Sequence, residues 1–79
     1  MNHKDIYYIF IDDQSEKCVI KAIKDFDWHL ELFVGIEPHE LNLIYSNRFL
    51  VDDIMEELRD EYDYVEEIDE NDIDDYMDN

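Results

Sequence analysis

The 79-residue sequence predicts a small α+β fold in a single domain, on three observations. Runs of β-branched and aromatic residues with strand spacing occupy the first half of the chain, which is typical of a sheet. One segment in the second half carries apolar residues at helical spacing. Apolar residues make up 46% of the chain, which is enough for one core and argues against wholesale disorder. We expect three or four mainly antiparallel strands with one or two helices.

The first predicted strand is Ile6–Ile11, a run of six β-branched or aromatic residues. Such a run predicts a central strand that is buried on both faces. Asp12–Ser15 follows with turn and capping residue types.

The next segment, Glu16–Phe26, fits two patterns. A helix is favoured by apolar residues at positions i, i+3, i+4 and i+7, with Ser15 or Asp13 as its N-cap. These apolar residues are Val19, Ala22, Ile23 and Phe26. A strand is the alternative, with Cys18, Ile20 and Ala22 on one face and Asp12–Ser15 as a hairpin turn. The helix would give the order β-α-β-β-α-β, the ferredoxin-like arrangement, whereas the strand would give an antiparallel sheet with one helix across it.

Alternation predicts two further strands. Trp28–Val34 has one apolar face and ends at Gly35 and Pro38, the only glycine and the only proline in the chain. Leu41–Tyr45 alternates in the same way and predicts a third strand.

The helix of the second half is predicted to begin after an N-cap at Ser46 or Asn47. Its apolar stripe consists of Val51, Ile54, Met55, Leu58 and Tyr62. Tyr64–Ile68 then predicts a short last strand, which ends the domain that we assign to residues 1–68. Residues 69–79 form an acidic tail in which Ile73, Tyr76 and Met77 have helical spacing, so the tail is either a docked turn of helix or a loose end.

Negative charge is concentrated at the end of the chain. Val51–Asn79 holds fifteen Asp or Glu residues and one base, Arg59, whereas the first fifty residues hold nine acids and five bases. With one base and fifteen acids, Val51–Asn79 carries a charge of -14, out of -18 for the whole chain. Phosphates and anionic lipids would repel such a protein, so we expect no direct binding of nucleic acid or membranes. The expected partner is a strongly basic surface.

The acids of the predicted helix fall into two rows with i, i+4 spacing. One row is Asp52, Glu56 and Asp60, and the other is Asp53, Glu57 and Glu61. Like-charged pairs at this spacing destabilise a helix by roughly 0.2–0.5 kcal/mol each. A solvated helix face or a solubilising tail is the ordinary interpretation of such charge. A salt-adapted proteome would instead spread the acids along the whole chain.

In size, charge and acidic rows, the chain resembles the DNA-mimic proteins. These are small acidic inhibitors, many from bacteriophages, that occupy the DNA-binding surface of an enzyme or chromatin protein; they share no common sequence or fold. The resemblance implies a bacterial or phage setting, a role in host takeover or anti-defence, and often a homodimer. It also implies a basic target such as a nuclease, a repair enzyme, a sliding clamp, a nucleoid protein or a polymerase.

The residues expected to bind this partner are acids that face Lys or Arg in place of phosphates, with aromatic side chains among them as anchors. The first group is Asp52, Asp53, Glu56, Glu57, Asp60, Glu61, Asp63, Tyr64, Glu66 and Glu67. The second group is Asp69, Glu70, Asp72, Asp74, Asp75 and Tyr76. Tyr62, Ile73 and Met77 are further anchor candidates, although the position of Tyr62 on the apolar stripe favours the core. The alternative function is an adaptor or antitoxin-like partner that binds through apolar and aromatic surface.

The sequence predicts no catalytic, metal or cofactor site. The only glycine lies far from the acids, which excludes the calcium-loop pattern and glycine-rich phosphate loops. Cys18, His3, His29 and His39 make no zinc-ligand spacing. A single cysteine permits no internal disulfide, and the run Ile6–Ile11 is too short for a signal sequence, so we expect a cytoplasmic protein.

Overall fold

The computed structural model describes residues 6–37, 41, 44–45 and 50–77. The described elements are β1 (Ile6–Asp13), β2 (Glu16–Lys24), β3 (Trp28–Gly35), β4 (Ile44–Tyr45), α1 (Val51–Glu61), β5 (Tyr64–Ile68), a 3-10 turn (Glu70–Asp72) and α2 (Ile73–Met77). The strands form one antiparallel sheet in the order β4-β3-β2-β1-β5. The α+β class is confirmed, and the described residues form five strands where three or four were predicted.

The prediction of a central first strand is confirmed. β1 lies between β2 and β5, and Ile9, Phe10 and Ile11 are buried. Because successive side chains of a strand point to opposite faces, this burial shows that both faces of β1 are covered.

The turn after β1 is shorter than the predicted Asp12–Ser15. β1 continues to Asp13, and Gln14 and Ser15 alone connect it to β2. Their φ angles of 53° and 74° are both positive, as in a two-residue type I′ hairpin turn. The twist of this turn matches the twist of the paired strands, which fixes the register of the hairpin.

The predicted helix over Glu16–Phe26 is wrong, and the strand alternative is correct for Glu16–Lys24. β2 pairs with β1 on one side and with β3 on the other, so its backbone hydrogen bonds are made within the sheet. Cys18, Ile20 and Ala22 are buried on one face. Phe26, which the helical pattern placed on the apolar stripe, is 82% exposed. The β-α-β-β-α-β arrangement is therefore also wrong.

The strand predicted over Trp28–Val34 is confirmed as β3, but its apolar residues are buried only in its first half. Trp28 and Leu30 are buried, whereas Leu32 and Val34 are exposed. The pairing shifts between Val19 and Ile20 of β2, which opposes two residues of β3 to one at this point, as in a β-bulge.

Gly35 ends β3 where no other residue fits. Its φ is +103°, and a Cβ atom there would lie 2.4 Å from the carbonyl oxygen of Lys17 and 2.7 Å from Cα of Cys18.

The strand predicted over Leu41–Tyr45 is seen only as Ile44–Tyr45. Leu41 is buried in the core outside any strand, and residues 42–43 lie outside the described residues, as does Pro38. The predicted N-caps Ser46 and Asn47 also lie outside them.

The helix of the second half is confirmed, but its N-cap is Leu50 rather than Ser46 or Asn47. The Asp53 carboxylate accepts a hydrogen bond from the Leu50 backbone N–H at 3.0 Å, which satisfies one backbone donor at the helix start.

Two hydrophobic clusters lie on opposite faces of the sheet. The helix face carries the larger one, in which α1 buries Ile54, Met55 and Leu58. The second face carries a smaller cluster of Phe10, Val19, Ile68 and Ile73. The predicted stripe residue Tyr62 is buried in the larger cluster.

The C-terminal segment packs on the second face. Ile73 of α2 is only 8% exposed, and Tyr76 and Met77 pack against the same cluster. The Tyr76 and Phe10 ring centroids are 4.9 Å apart. The acidic segment is thus held by the three apolar side chains that share helical spacing.

Candidate functional site

The outer side of α1 carries exposed carboxylates. Because apolar residues recur with the helical period and are buried against the sheet, the residues between them face solvent. All six acids of the helix are exposed: Asp52, Asp53, Glu56, Glu57, Asp60 and Glu61. A regular α-helix places each i, i+4 row along the axis at a rise of about 6 Å per step.

Arg59 is the only cation of α1, and it is directed toward β5. Its Nε donates to the carbonyl oxygen of Val65 at 3.4 Å. Four acids line an open hollow with it: Asp53, Glu56, Glu57 and Asp60. One guanidinium cannot neutralise six carboxylates, so the outer side of the helix keeps a strong negative field.

β5 extends this negative surface to the edge of the sheet. It is the terminal strand next to β1, with Glu66 opposite Phe10 and Glu67 opposite Ile9 in the register. Alternation places Val65 and Glu67 on the helix face, and Tyr64, Glu66 and Ile68 on the second face. Glu67 is exposed, whereas Glu66 is half-buried.

Glu66 is hydrogen-bonded to Tyr64 and lies near Tyr76. The Tyr64 hydroxyl donates a hydrogen bond to Oε1 of Glu66, and this bond is the largest reason that the pKa of Tyr64 is raised. The pKa of Tyr76 is raised mainly by desolvation and then by the nearby Glu66 carboxylate. Both rings pack on Phe10, with the Tyr64 centroid 6.0 Å away. The carboxylate therefore has a fixed position beside an aromatic group that is 48% exposed, Tyr64.

The second group of acids lies on the other side of the sheet from α1. Asp69 caps the 3-10 turn, with one carboxylate oxygen 3.0 Å from the backbone N–H of Asn71 that donates to it. The remaining acids of this segment are all exposed: Glu70, Asp72, Asp74 and Asp75. Since α2 packs on the second face and α1 on the helix face, carboxylates lie on both sides of β5. We call this band the acidic surface; it consists of the exposed acids of α1, β5 and residues 69–75.

Sequence reasoning missed the carboxylate that positions the start of β5. Asp13 is 3% exposed, and its Oδ1 accepts a hydrogen bond from the backbone N–H of Asp63 at 3.1 Å. The sequence placed Asp13 in a turn or at a helix N-cap. Only the pairing of β1 with β5 reveals its role, because that pairing joins residues fifty positions apart.

Among the described residues, the other reactive residue types offer no site. Cys18 is fully buried, and burial raises the pKa of its thiol to about 12, which keeps it protonated and unreactive. Within residues 6–37, 41, 44–45 and 50–77, no group of three or more His, Cys, Asp or Glu side chains is arranged to hold a metal ion. In the same part of the chain, no helix is long and apolar enough to cross a membrane.

Comparisons with models of protein families, with curated proteins and with solved structures find no match to this chain. The function must therefore be argued from the acidic surface itself.

Proposed function

We propose that this protein is an inhibitor that binds the basic DNA-binding surface of another protein and blocks access of DNA to it. The proposal is supported above all by the outer side of α1, where six carboxylates in two rows are exposed beside one cation. The buried side of the same helix is packed into the core through Ile54, Met55 and Leu58. Because the helix is already packed, the rows are in place before the partner binds, and no helix has to become ordered on binding.

The spacing of these rows suits a partner that binds phosphates. Duplex DNA carries about one negative charge per 1.7 Å of its axis, so proteins that bind it present lines of Lys and Arg. Carboxylates every 6 Å or so along each row of α1 offer these cations alternative partners. Complementary fields accelerate the encounter and set the register of the complex.

Charge alone gives little affinity once salt screens it, so buried anchors are needed as well. Tyr64 is the best placed of the candidate anchors, because it is 48% exposed and lies among the acids. Tyr76 and Met77 are half-buried against the smaller cluster, and Tyr62 and Ile73 are buried. The expected targets are the basic bacterial proteins named above: nucleases, repair enzymes, sliding clamps, nucleoid proteins and polymerases.

The test is capture of a partner from a bacterial lysate with the tagged protein, eluted by a salt gradient, with and without competing duplex DNA. A DNA-binding protein that elutes at moderate salt and is lost when DNA is added supports the proposal. A partner that survives high salt and ignores DNA contradicts it.

The captured partner also allows a charge-reversal test. The variant Asp53→Lys, Glu57→Lys and Glu61→Lys changes one exposed row of α1 and should abolish both binding and inhibition. The matched control is Asp25→Lys, Asp27→Lys and Glu31→Lys, which changes three exposed acids near β3 by the same total charge. Equal binding by both variants would remove that row from the proposal.

A second candidate function is supported by exposed apolar residues in β3 and directly after it, away from the β5 edge. Leu32, Phe33, Val34 and Ile36 are between 38% and 62% exposed. An adaptor or antitoxin-like protein would bind its partner through such a surface, with the acids providing solubility. Its binding would resist salt, and Phe33→Ser would weaken it while the row reversal on α1 would not.

A further inference from the structure

β5 is an edge strand, and its outer side has no strand partner within the part of the chain that the structure describes. An edge strand directs the backbone N–H and C=O groups of alternate residues away from the sheet. The Arg59 contact indicates which residues these are, because its guanidinium reaches the carbonyl oxygen of Val65 from α1. By alternation, the backbone N–H and C=O groups of Val65 and Glu67 point outward, away from β1. Those of Tyr64, Glu66 and Ile68 point toward β1 and pair with it.

We propose that this edge binds an extended segment of the partner, which adds to the sheet as a further strand beside β5 and carries two adjacent Arg or Lys residues. The inference rests on the proposed function, because it takes the partner to be a basic protein. It adds the conformation of the bound segment and the place where that segment binds.

Charge selects the occupant of this edge. Glu66 and Glu67 lie side by side in β5 and point to opposite faces of the sheet. A paired strand places one residue opposite each of them, so two adjacent cations meet both carboxylates, one on each face. The Glu66 carboxylate is already oriented by Tyr64, whose exposed ring can stack on a guanidinium.

The same charges disfavour pairing of this edge with β5 of a second copy of the chain. Full-length antiparallel pairing of β5 with itself would place Glu66 opposite Glu66 of the other copy. Like charges directly opposite each other destabilise a strand pair. Edge strands in natural proteins commonly carry charge for this reason, and a cationic strand is the occupant that the charge attracts.

The acidic surface surrounds the edge on both sides. α1 lies on the helix face of the sheet, and the 3-10 turn with α2 lies on the second face. Arg59 of α1 donates to the Val65 carbonyl, and Tyr76 of α2 packs on Phe10 beside Tyr64, so both elements lie near this strand. A segment bound at the edge would therefore lie within the negative field of both elements.

The test uses a blocked peptide of alternating threonine and valine with two adjacent arginines at its centre. The control peptide has the same charge, but prolines replace the two residues that flank the arginines. This removes backbone N–H groups that a paired strand needs as hydrogen-bond donors. Amide exchange is followed by NMR. We expect the first peptide to bind about tenfold more tightly than the control and to slow exchange at the Val65 and Glu67 amides.

Equal binding of the two peptides, or unchanged exchange at both amides, would overturn strand addition. In that case, salt-sensitive capture of a DNA-binding protein would still support the proposed inhibitor function. Strand addition at β5 and the inhibitor function can therefore be tested separately. Glu67→Lys provides a second measurement, with Glu57→Lys on α1 as a control of equal charge change. We expect the edge variant to weaken the arginine peptide about threefold to tenfold and the helix variant to weaken it less; the reverse order counts against the edge.

Discussion

Asp13 at the end of β1 and Asp63 before β5 are joined by a hydrogen bond of 3.1 Å, from the Asp63 backbone N–H to the Asp13 carboxylate. The acceptor is almost completely buried. This bond fixes where the chain leaves α1 and enters β5, and so it positions the strand that carries Glu66 and Glu67.

We expect Asp13→Ala to lower the free energy of unfolding by about 1–3 kcal/mol, because it leaves a partly buried N–H without this acceptor. Asp13→Asn keeps an acceptor oxygen and should retain most of the stability. Urea unfolding at neutral pH measures both. If the alanine variant is as stable as the wild type, the bond does not hold β5 in place.

Gly35 gives a second prediction about stability. An alanine at this position has a positive φ and a Cβ that would overlap the Lys17 carbonyl and Cys18 backbone, so β2 and β3 must move apart. We expect Gly35→Ala to lower the free energy of unfolding by more than about 1 kcal/mol, whereas the same substitution at a compatible site raises it by about 0.4–1 kcal/mol. Glu31→Ala, at an exposed position of the same strand, is the control and should stay within about 0.5 kcal/mol of the wild type in urea unfolding.

The elements predicted most accurately from the sequence are those whose residue spacing fits only one type of secondary structure. The stripe from Val51 to Tyr62 has only a helical interpretation, and it also predicted which acids of α1 are exposed. Val19 and Ile23 of β2 fit either a helix or a strand, and pairing with two neighbouring strands decided between them. Such pairing depends on residues distant in the chain, which local spacing does not encode.

The shape of the acidic surface was not predictable for the same reason. Local spacing assigns the acids of residues 69–75 no position relative to α1. The packing of Ile73 and Tyr76 against Phe10 places them on the opposite face of the sheet. That contact joins residues more than sixty positions apart, so only the folded structure shows that carboxylates flank both sides of β5.

Cys18 predicts how stability depends on pH. Burial raises the pKa of its thiol from 9.0 to about 12, so the folded protein keeps a proton that the unfolded chain releases. This contribution is complete below about pH 9 and is lost as the pH rises toward 12. The free energy of unfolding should therefore fall more between about pH 8 and pH 10.5 in the wild type than in Cys18→Ala. If the free energy of unfolding fell equally with pH in the two proteins, the buried thiol would not be the cause of the loss of stability.

Glu57 connects stability with function. It lies one turn from Asp53 and one turn from Glu61, so it takes part in two like-charged pairs on α1. Each such pair destabilises a helix by roughly 0.2–0.5 kcal/mol, and an opposite-charge pair stabilises it by a similar amount. Glu57→Lys should therefore raise the free energy of unfolding by about 1–2 kcal/mol at low salt, and less at high salt because ions screen both terms.

The same substitution should weaken binding to a basic partner, because it removes a carboxylate from the centre of one row. A variant that is more stable but binds less well would show that the charges of α1 are retained for binding at a cost in stability. The control is Lys24→Glu, which replaces a cation by an acid at a half-buried position of β2. It should not raise the free energy of unfolding. If Glu57→Lys gained stability and bound the partner as well as the wild type does, the row would serve solubility alone.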